Sequence, residues 1–234
     1  HRGYTMHLEP GVLTVAQRLQ SAGYRTFMTG KWHLGHDAGD LPNSHGFDRS
    51  FALDASGADN WQDAPYMPYN NYAPWFEDGK PAQLPQDFYS SRFIVDRMIQ
   101  YLDGEHRQGP FFAYRSWQAV DIPLQAPREY TQHYLRTYDA CWDAVREQRW
   151  RRVQALGLIP QGAPLGPMNA RLQRWSSLSA NDRALFSRSM AVYAGMLEAL
   201  DANVGRLMDY LRTHNLTDNT ILVVTMGHCP RPYP

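Results

Sequence analysis

The chain has 234 residues, of which 43% are hydrophobic and 13% are aromatic. This length and apolar content suffice for the core of one globular domain and exclude an intrinsically disordered chain. The 23 basic and 23 acidic residues give a formal charge of zero, which argues against the basic surface of a nucleic-acid-binding protein. Cys141 and Cys229 have neither a CxxC nor a Cys/His spacing, so they predict neither a zinc site nor a disulfide framework.

The ends of the chain give little information about its compartment. No apolar run approaches the roughly 18–20 residues of a membrane-spanning helix, and no signal-peptide pattern opens the sequence. The sequence begins at His1 instead of a methionine, so we expect that residues have been lost upstream. A targeting segment could have been lost with them, and both bacterial cytoplasm and periplasm remain open.

The first predicted elements are a helix and a strand. Residues 12–22 place apolar side chains at helical spacing and are followed by Gly23, which is typical of a helix end. Residues 24–29 are rich in β-branched and aromatic side chains and stop at Gly30, which predicts a short buried strand. Residues 40–88 contain many Pro, Gly, Asn, Asp and aromatic residues, and we expect a long ordered excursion over a site.

The same order of elements recurs further along the chain. Residues 90–102 predict an amphipathic helix, and residues 110–115 predict a strand that leads into a polar loop at 116–127. Long helical patterns cover residues 139–156 and 181–212. Helices that alternate with strands are typical of the α/β class.

The last predicted element is a strand at residues 219–225. Its sequence, NTILVVT, is a continuous apolar run rich in β-branched residues. Such runs are typical of strands that are covered on both faces in a parallel sheet.

The segment TGKWHLG, residues 29–35, carries the most informative chemistry. It places Lys31 and His33 two positions apart in a glycine-bounded loop after a predicted strand, which is where open α/β sheets bind their ligands. The ammonium group suits an anionic oxygen, and the imidazole points to the same side if the loop is extended. Alone, such a pair is more often a surface lysine beside a structural histidine.

Several segments together resemble the sulfatase family. AGYRTFMTGKWHLG, followed by HGFDRSF, is similar to the family's block AGY-x-T-x-x-x-GKWHLG and its later GFD or GFE. PFFAYRSWQAVDIPLQAPREY resembles the family's strand and loop FFAY…AxHxPLQAP. The resemblance extends through Tyr193, the segment DANVG and LRTHNLTDNTILVV, so it covers nearly the whole chain.

The resemblance implies an α/β/α sandwich with a mostly parallel central sheet, of the alkaline phosphatase type and incomplete at both ends. Residues 1–234 would form part of the N-terminal catalytic domain. Active members cleave sulfate esters with a formylglycine nucleophile and a Ca²⁺ ion bound by Asp and Asn oxygens. At the matching positions, Lys31 would contact the sulfate. His33 would hydrogen-bond the formylglycine hydroxyl and help to expel sulfate.

Other parts of the family's machinery do not match. The chain contains neither C-x-P-x-R nor S-x-P-x-R, the motifs that give formylglycine, and no Asp-Asp pair precedes Lys31. The substrate-binding His of the second loop falls at Asp121, whose carboxylate we expect to repel a sulfate. The later Asp-Asn ligands fall at Gly227 and His228, which are poor ligands for Ca²⁺. We therefore expect no retained metal ligands and no bound Ca²⁺.

The tail from about residue 225 to 234 has the character of out-of-frame sequence. Codons for Thr-Met-Gly-His-Cys-Pro, read one base earlier, permit Asp-Asn-Gly-Pro-Leu-Pro, which restores the family's Asp-Asn-Gly. A small frameshifting deletion near Thr225 accounts for this; chance or real divergence is the alternative. The family's first strand lies inside the sheet and is missing here, so we also expect a gap or an exposed apolar edge.

The sequence thus predicts an arylsulfatase-like sulfuric ester hydrolase for a small-molecule sulfate ester, inactive as this isolated chain. The alternative is a non-catalytic remnant or an anion-binding pseudoenzyme that keeps Lys31 and His33. A phosphatase or phosphodiesterase of the same superfamily is less favoured, because GKWHLG is the sulfatase version. The sequence does not identify the organic part of the substrate. Five aromatic residues of the long excursion either line a pocket for an aryl group or pack against one another: Trp61, Tyr66, Tyr69, Tyr72 and Trp75.

Overall fold

The computed structural model describes residues 6–68, 71–104 and 109–225. These residues form two compact units. The first comprises the described residues up to Gln125 together with Met196–Thr217, and the second comprises Ala126–Gly195 together with the described residues from Asp218 on. Among the helices of these ranges, none combines the length and the apolar character that crossing a membrane requires.

The described ranges contain five α-helices and five strands. The helices are α1 Val15–Ser21, α2 Ser90–Leu102, α3 Arg128–His133, α4 Trp142–Ala155 and α5 Ala180–Thr213. The strands are β1 Arg25–Lys31, β2 Arg49–Leu53, β3 Trp75–Glu77, β4 Lys80–Pro81 and β5 Phe111–Ser116. Short 3₁₀ helices cover Pro42–His45, Trp175–Ser177 and Thr217–Asn219.

The strands form one sheet in the order β4-β3-β2-β1-β5. Strand β1 pairs in parallel with β2 and with β5, whereas β3 and β4 extend the sheet in antiparallel pairs. The register pairs Lys31 with Leu53 and Gly30 with Ser116. The carboxyl ends of β1, β2 and β5 therefore lie at one edge of the sheet, which confirms the predicted α/β class with a mostly parallel sheet.

One face of the sheet carries the main hydrophobic core. Phe27 of β1 and Phe51 of β2 belong to a buried cluster with Val95 and Met98 of α2 and Leu207 of α5. Because strand side chains alternate between faces, the next residue in each strand points the other way. The larger core therefore lies between the sheet and the helices α2 and α5.

The opposite face is covered by α1. Met28 of β1 and Ala52 of β2 are buried there with Ala16 of α1 and Phe47. Phe112 of β5 is partly buried against the same cluster. The first unit thus has three layers, helix, sheet and helix, as expected for an α/β/α sandwich.

Tyr101 of α2 is a buried polar contact between the helix and the sheet. Its hydroxyl lies 3.1 Å from the carbonyl oxygen of Ser50 and 3.2 Å from Oε1 of Glu77. The guanidinium carbon of Arg49 is 4.5 Å from the centre of the Tyr101 ring. Burial, and after it the negative charge of Glu77, raises the pKa of Tyr101 far above its ordinary value.

Helix α1 begins later than its apolar pattern predicts. Thr14 is the N-cap, and its hydroxyl accepts a hydrogen bond of 3.1 Å from the backbone N–H of Gln17. The Gln17 side chain accepts in return from the backbone N–H of Thr14 at 2.9 Å, which completes a capping box. The helix therefore starts at Val15 instead of residue 12.

The prediction of a strand at residues 219–225 is wrong. Asn219 ends a 3₁₀ helix, and residues 220–225 have no regular secondary structure. The side chains are not covered: Ile221 is 91% exposed and Val223 is 74% exposed. An apolar β-branched run forms a strand only where a neighbouring strand pairs with it. In the described part of the chain, this segment pairs with no strand.

Gly30 allows β1 to approach β5 closely. Its φ is +107°, and a Cβ atom at this position would lie 1.8 Å from the carbonyl oxygen of Ser116. We expect Gly30→Ala to lower the free energy of unfolding by about 2–3 kcal/mol, because both the backbone strain and the clash must be relieved. Urea unfolding followed by circular dichroism measures the change.

Gly39→Ala is the matched control for this substitution. A Cβ atom at Gly39 meets nothing within 4 Å, and its φ lies outside the left-handed region. Its unfolding midpoint should stay within error of the parent chain. Equal midpoints for the two variants would contradict the close approach at Gly30.

Candidate functional site

Lys31 is the last residue of β1 and lies at the carboxyl edge of the sheet. Its Nζ donates a hydrogen bond of 2.8 Å to Oγ of Ser56 and forms an ion pair of 3.3 Å with Oδ2 of Asp121. The Lys31 side chain is 23% exposed, and the Asp121 side chain is 37% exposed. The ammonium group is thus accessible to a small anion, but a carboxylate already lies beside it.

Asp121 lies in the loop that follows β5, as the sequence predicts for the second loop. Its Oδ1 accepts a hydrogen bond of 2.9 Å from the backbone N–H of Ile122. Its Oδ2 lies 3.3 Å from both Lys31 Nζ and Ser56 Oγ. The structure therefore brings Lys31 and Asp121 together and fixes the carboxylate from both of its oxygens.

His33 lies two residues after Lys31, in the loop that follows β1, and has a left-handed backbone, with φ of +53°. This conformation is uncommon for a non-glycine residue and concentrates at functional sites. Burial of the imidazole, followed by the charge of Lys31, lowers the pKa of His33 below its ordinary value, against smaller opposing effects of Asp54 and Asp121. Near neutral pH the imidazole is therefore uncharged.

Strand β2 contributes residues that the sequence analysis did not identify. Asp54 follows β2, and its side chain is only 7% exposed. Its Oδ1 accepts from the backbone N–H of Gly35 at 3.2 Å, and its Oδ2 lies 3.1 Å from Nδ1 of His36. Nε2 of His36 lies 3.2 Å from the hydroxyl of Tyr72. Asp54 thus anchors the far side of the loop that follows Lys31 and carries His33.

The loops after β2 and β5 are also joined to each other. The side-chain oxygen of Gln125 accepts from the backbone N–H of Asn60 at 2.8 Å, and the Gln125 amide donates to Oδ2 of Asp59 at 2.7 Å. These bonds connect the loop that contains Ser56 with the loop that contains Asp121. The positions of both residues around Lys31 are therefore set by two mutually braced loops.

Lys31 also borders an apolar groove. A cavity of about 420 Å³ lies beside α1 and β5, with walls that include Trp32, Phe47, Phe112 and Tyr114. The ammonium group therefore lies where the polar loops meet an apolar surface.

The donors at this edge of the sheet do not fit Ca²⁺. In the described ranges, no group of three or more His, Cys, Asp or Glu side chains is arranged to hold a metal ion. Asp121 is paired with the cation of Lys31 and Asp54 with His36, so neither carboxylate belongs to a set of hard oxygen ligands. Gly227 and His228, at the family positions for Asp and Asn, lie outside the described residues.

The aromatic residues of the long excursion do not share one pocket. The Trp75 ring stacks on Phe51 with 4.8 Å between ring centres and is buried in the core. Trp61 packs on Tyr89 at 5.4 Å. Tyr72 contacts His36 as described above, Tyr66 is exposed, and Tyr69 lies outside the described residues.

Sequence comparison with known proteins matches this chain to members of one family. The family model for sulfatases matches residues 4–234. The chain is 34% identical over 232 residues to an arylsulfatase of Klebsiella aerogenes, covering 98% of this chain and 50% of that protein. It is also 34% identical over 229 residues to an uncharacterised sulfatase of Schizosaccharomyces pombe, covering 94% of this chain and 41% of the relative. The chain thus spans about half the length of these relatives or less.

Solved structures share the fold at lower sequence identity. The chain superimposes on Ps i-CgsB, crystallised with k-i-k-neocarrahexaose, with a TM-score of 0.59 at 21% identity, covering 93% of this chain and 40% of that one. A structure in complex with its substrate D-glucosamine-2-N,6-O-disulfate gives a TM-score of 0.56 at 20% identity, covering 91% and 49%. The match of the family over almost the whole sequence shows that this chain belongs to the sulfatase family, within the alkaline phosphatase superfamily.

Proposed function

We propose that this chain carries one wall of the sulfate site of an arylsulfatase-type sulfuric ester hydrolase and does not turn over its substrate alone. The observation that best supports this proposal is the position of Lys31, at the carboxyl end of a central parallel strand and within the segment that matches the sulfatase block. Ligands of open α/β sheets bind at this edge.

Lys31 and His33 have complementary roles in this proposal. The Lys31 ammonium attracts the anionic oxygens of the sulfate group and orients it. His33, uncharged near neutral pH because burial and Lys31 lower its pKa, is available to exchange a proton with a hydroxyl group at the sulfate. Ser56 adds a hydroxyl 2.8 Å from Lys31 Nζ, which is a further donor for a sulfate oxygen.

The parts required for turnover are not supplied by residues 1–234. Covalent catalysis requires an activated nucleophile, and the sequence has no C-x-P-x-R or S-x-P-x-R motif. The described residues near Lys31 do not form the oxygen cage that Ca²⁺ requires, and in this proposal the Asp121 carboxylate competes with the substrate for the same ammonium. These features favour binding without hydrolysis.

The second candidate function is anion binding without catalysis. It is favoured by the same Lys31 geometry together with the apolar groove of about 420 Å³ next to it, which leaves room for the organic part of an anion. This reading needs no nucleophile and no metal ion.

The first prediction from the proposed function concerns turnover. We expect no sulfate release from 4-nitrophenyl sulfate above the level of a Lys31→Ala, His33→Ala double variant, with or without Ca²⁺ and formylglycine-generating enzyme. The reason is the missing nucleophile, whose loss abolishes the covalent step. Release of 4-nitrophenolate, followed by absorbance, is the measurement.

Asp121→His is the control for the residue of the second loop that differs from the family. It restores the residue type of the family at this position, yet it should stay inactive because the nucleophile is still missing. Turnover by the parent chain that disappears in the double variant would refute the proposal and require another nucleophile in this sequence.

The second prediction concerns the competition between Asp121 and a bound anion. Asp121→Asn removes the negative charge 3.3 Å from Lys31 Nζ, so we expect inorganic sulfate to bind about fivefold more tightly, a gain of about 1 kcal/mol for a partly exposed pair. Isothermal titration calorimetry at low ionic strength measures the affinity. Asp63→Asn changes the net charge equally at an exposed position and should leave the affinity unchanged. Weaker sulfate binding in Asp121→Asn would show that the carboxylate does not compete.

The third prediction concerns the titration of His33. Its pKa should lie below 6.5, Lys31→Met should raise it, and Asp54→Asn should lower it further. Because the folded state binds this proton more weakly than the unfolded chain, the stability that His33 contributes is complete above 6.5 and falls as pH decreases below that value. NMR titration of the imidazole signals, assigned with His33→Gln, tests the set. A downward shift in Lys31→Met would contradict the stated electrostatics.

A further inference from the structure

A separate cavity lies in the second unit, between α3 and α5. Its volume is about 350 Å³, and we refer to it as the α3–α5 cleft. Its walls include Ala126, Arg128, Thr131, Leu135, Arg188 and Val192. None of these residues belongs to the Lys31 site, so the cleft is independent of the proposed function.

The packing of the two helices explains the cleft. Gly195 of α5 lies so close to α3 that a Cβ atom would be 2.9 Å from the backbone nitrogen of Thr131. Val192 and Arg188 precede Gly195 by three and seven residues and therefore lie on the same face of α5. The helices thus make close contact at Gly195 and leave the cleft along the preceding two turns.

Two guanidinium groups without an ion-pair partner in the described ranges border this cleft. Arg128 and Arg188 are exposed, and neither forms a hydrogen bond or ion pair with any residue in the described ranges. No acidic residue lines the cleft. By contrast, Arg49, Arg97 and Arg206 are paired with carboxylates. The cleft therefore combines two unpaired positive charges with apolar walls from Val192 and Leu135.

We propose that the α3–α5 cleft binds amphiphilic anions, in which a carboxylate, sulfate or sulfonate is attached to a ring or a short apolar framework. Guanidinium groups present planar arrays of donors that suit such oxyanions. The apolar walls accept the framework, as in most small-molecule sites. The size of the cleft admits a ligand of one or two rings.

The test uses 2-naphthalenesulfonate, a ring sulfonate without a hydrolysable sulfate ester bond, and the full chain. Arg128→Gln combined with Arg188→Gln should weaken its binding about fivefold or more, since two exposed charge contacts are lost. Arg171→Gln combined with Arg174→Gln is the matched control, because it removes the same charge from exposed positions outside the cleft. Calorimetry together with saturation-transfer NMR measures the affinity.

Further variants and probes make the proposal falsifiable. Val192→Glu leaves both arginines in place but adds a carboxylate to the wall, and it should abolish binding. Neutral 2-naphthol and the small anion methanesulfonate should each bind more weakly than 2-naphthalenesulfonate. Equal affinity in the parent chain and the Arg128→Gln, Arg188→Gln variant would overturn the proposal. So would a loss of binding in Lys31→Met, because the probe would then occupy the Lys31 site.

Discussion

The first unit depends on the double pairing of β1, which is hydrogen-bonded to β2 on one side and to β5 on the other. Phe27 and Met28, adjacent in sequence, belong to the cores on opposite faces of the sheet. Burial of both faces leaves little freedom to shift the strand, because a slip by one residue would exchange the two sets of side chains. The position of Lys31 is therefore determined by the packing of the whole strand.

The same constraint brings charged residues together at the edge of the sheet. Lys31 ends β1, Asp54 follows β2 and Asp121 lies in the loop after β5, and these three strands end side by side. The resulting ion pair of Lys31 with Asp121 links the end of β1 to the loop after β5. In the proposed function, the Asp121 carboxylate competes with a bound anion for the same ammonium group.

Local residue patterns predicted the helices and strands that are marked by the periodicity or composition of their own residues. Helix α2 has the predicted bounds, and Lys31 and Asp121 lie close together because Lys31 ends β1 and Asp121 is in the loop after the neighbouring strand β5. Strand β2 was missed because it is embedded among glycine, proline and aromatic residues, and Asp54 and Ser56 were missed with it. Residues 219–225 show the opposite failure, since their β-branched composition describes what the segment favours but not whether a strand is available to pair with it.

The protonation state of the Tyr101 phenol is coupled to the folding of the main core. Its hydroxyl is held between Ser50 and Glu77, and burial beside that carboxylate disfavours the phenolate. The unfolded chain releases this proton at the ordinary pKa of a tyrosine, about 10, so stability is complete below that value and decreases as alkalinity rises above it. The contribution of Tyr101 to the ultraviolet absorption of tyrosinate would therefore report core opening, because this ring ionises only once the sheet and α2 separate.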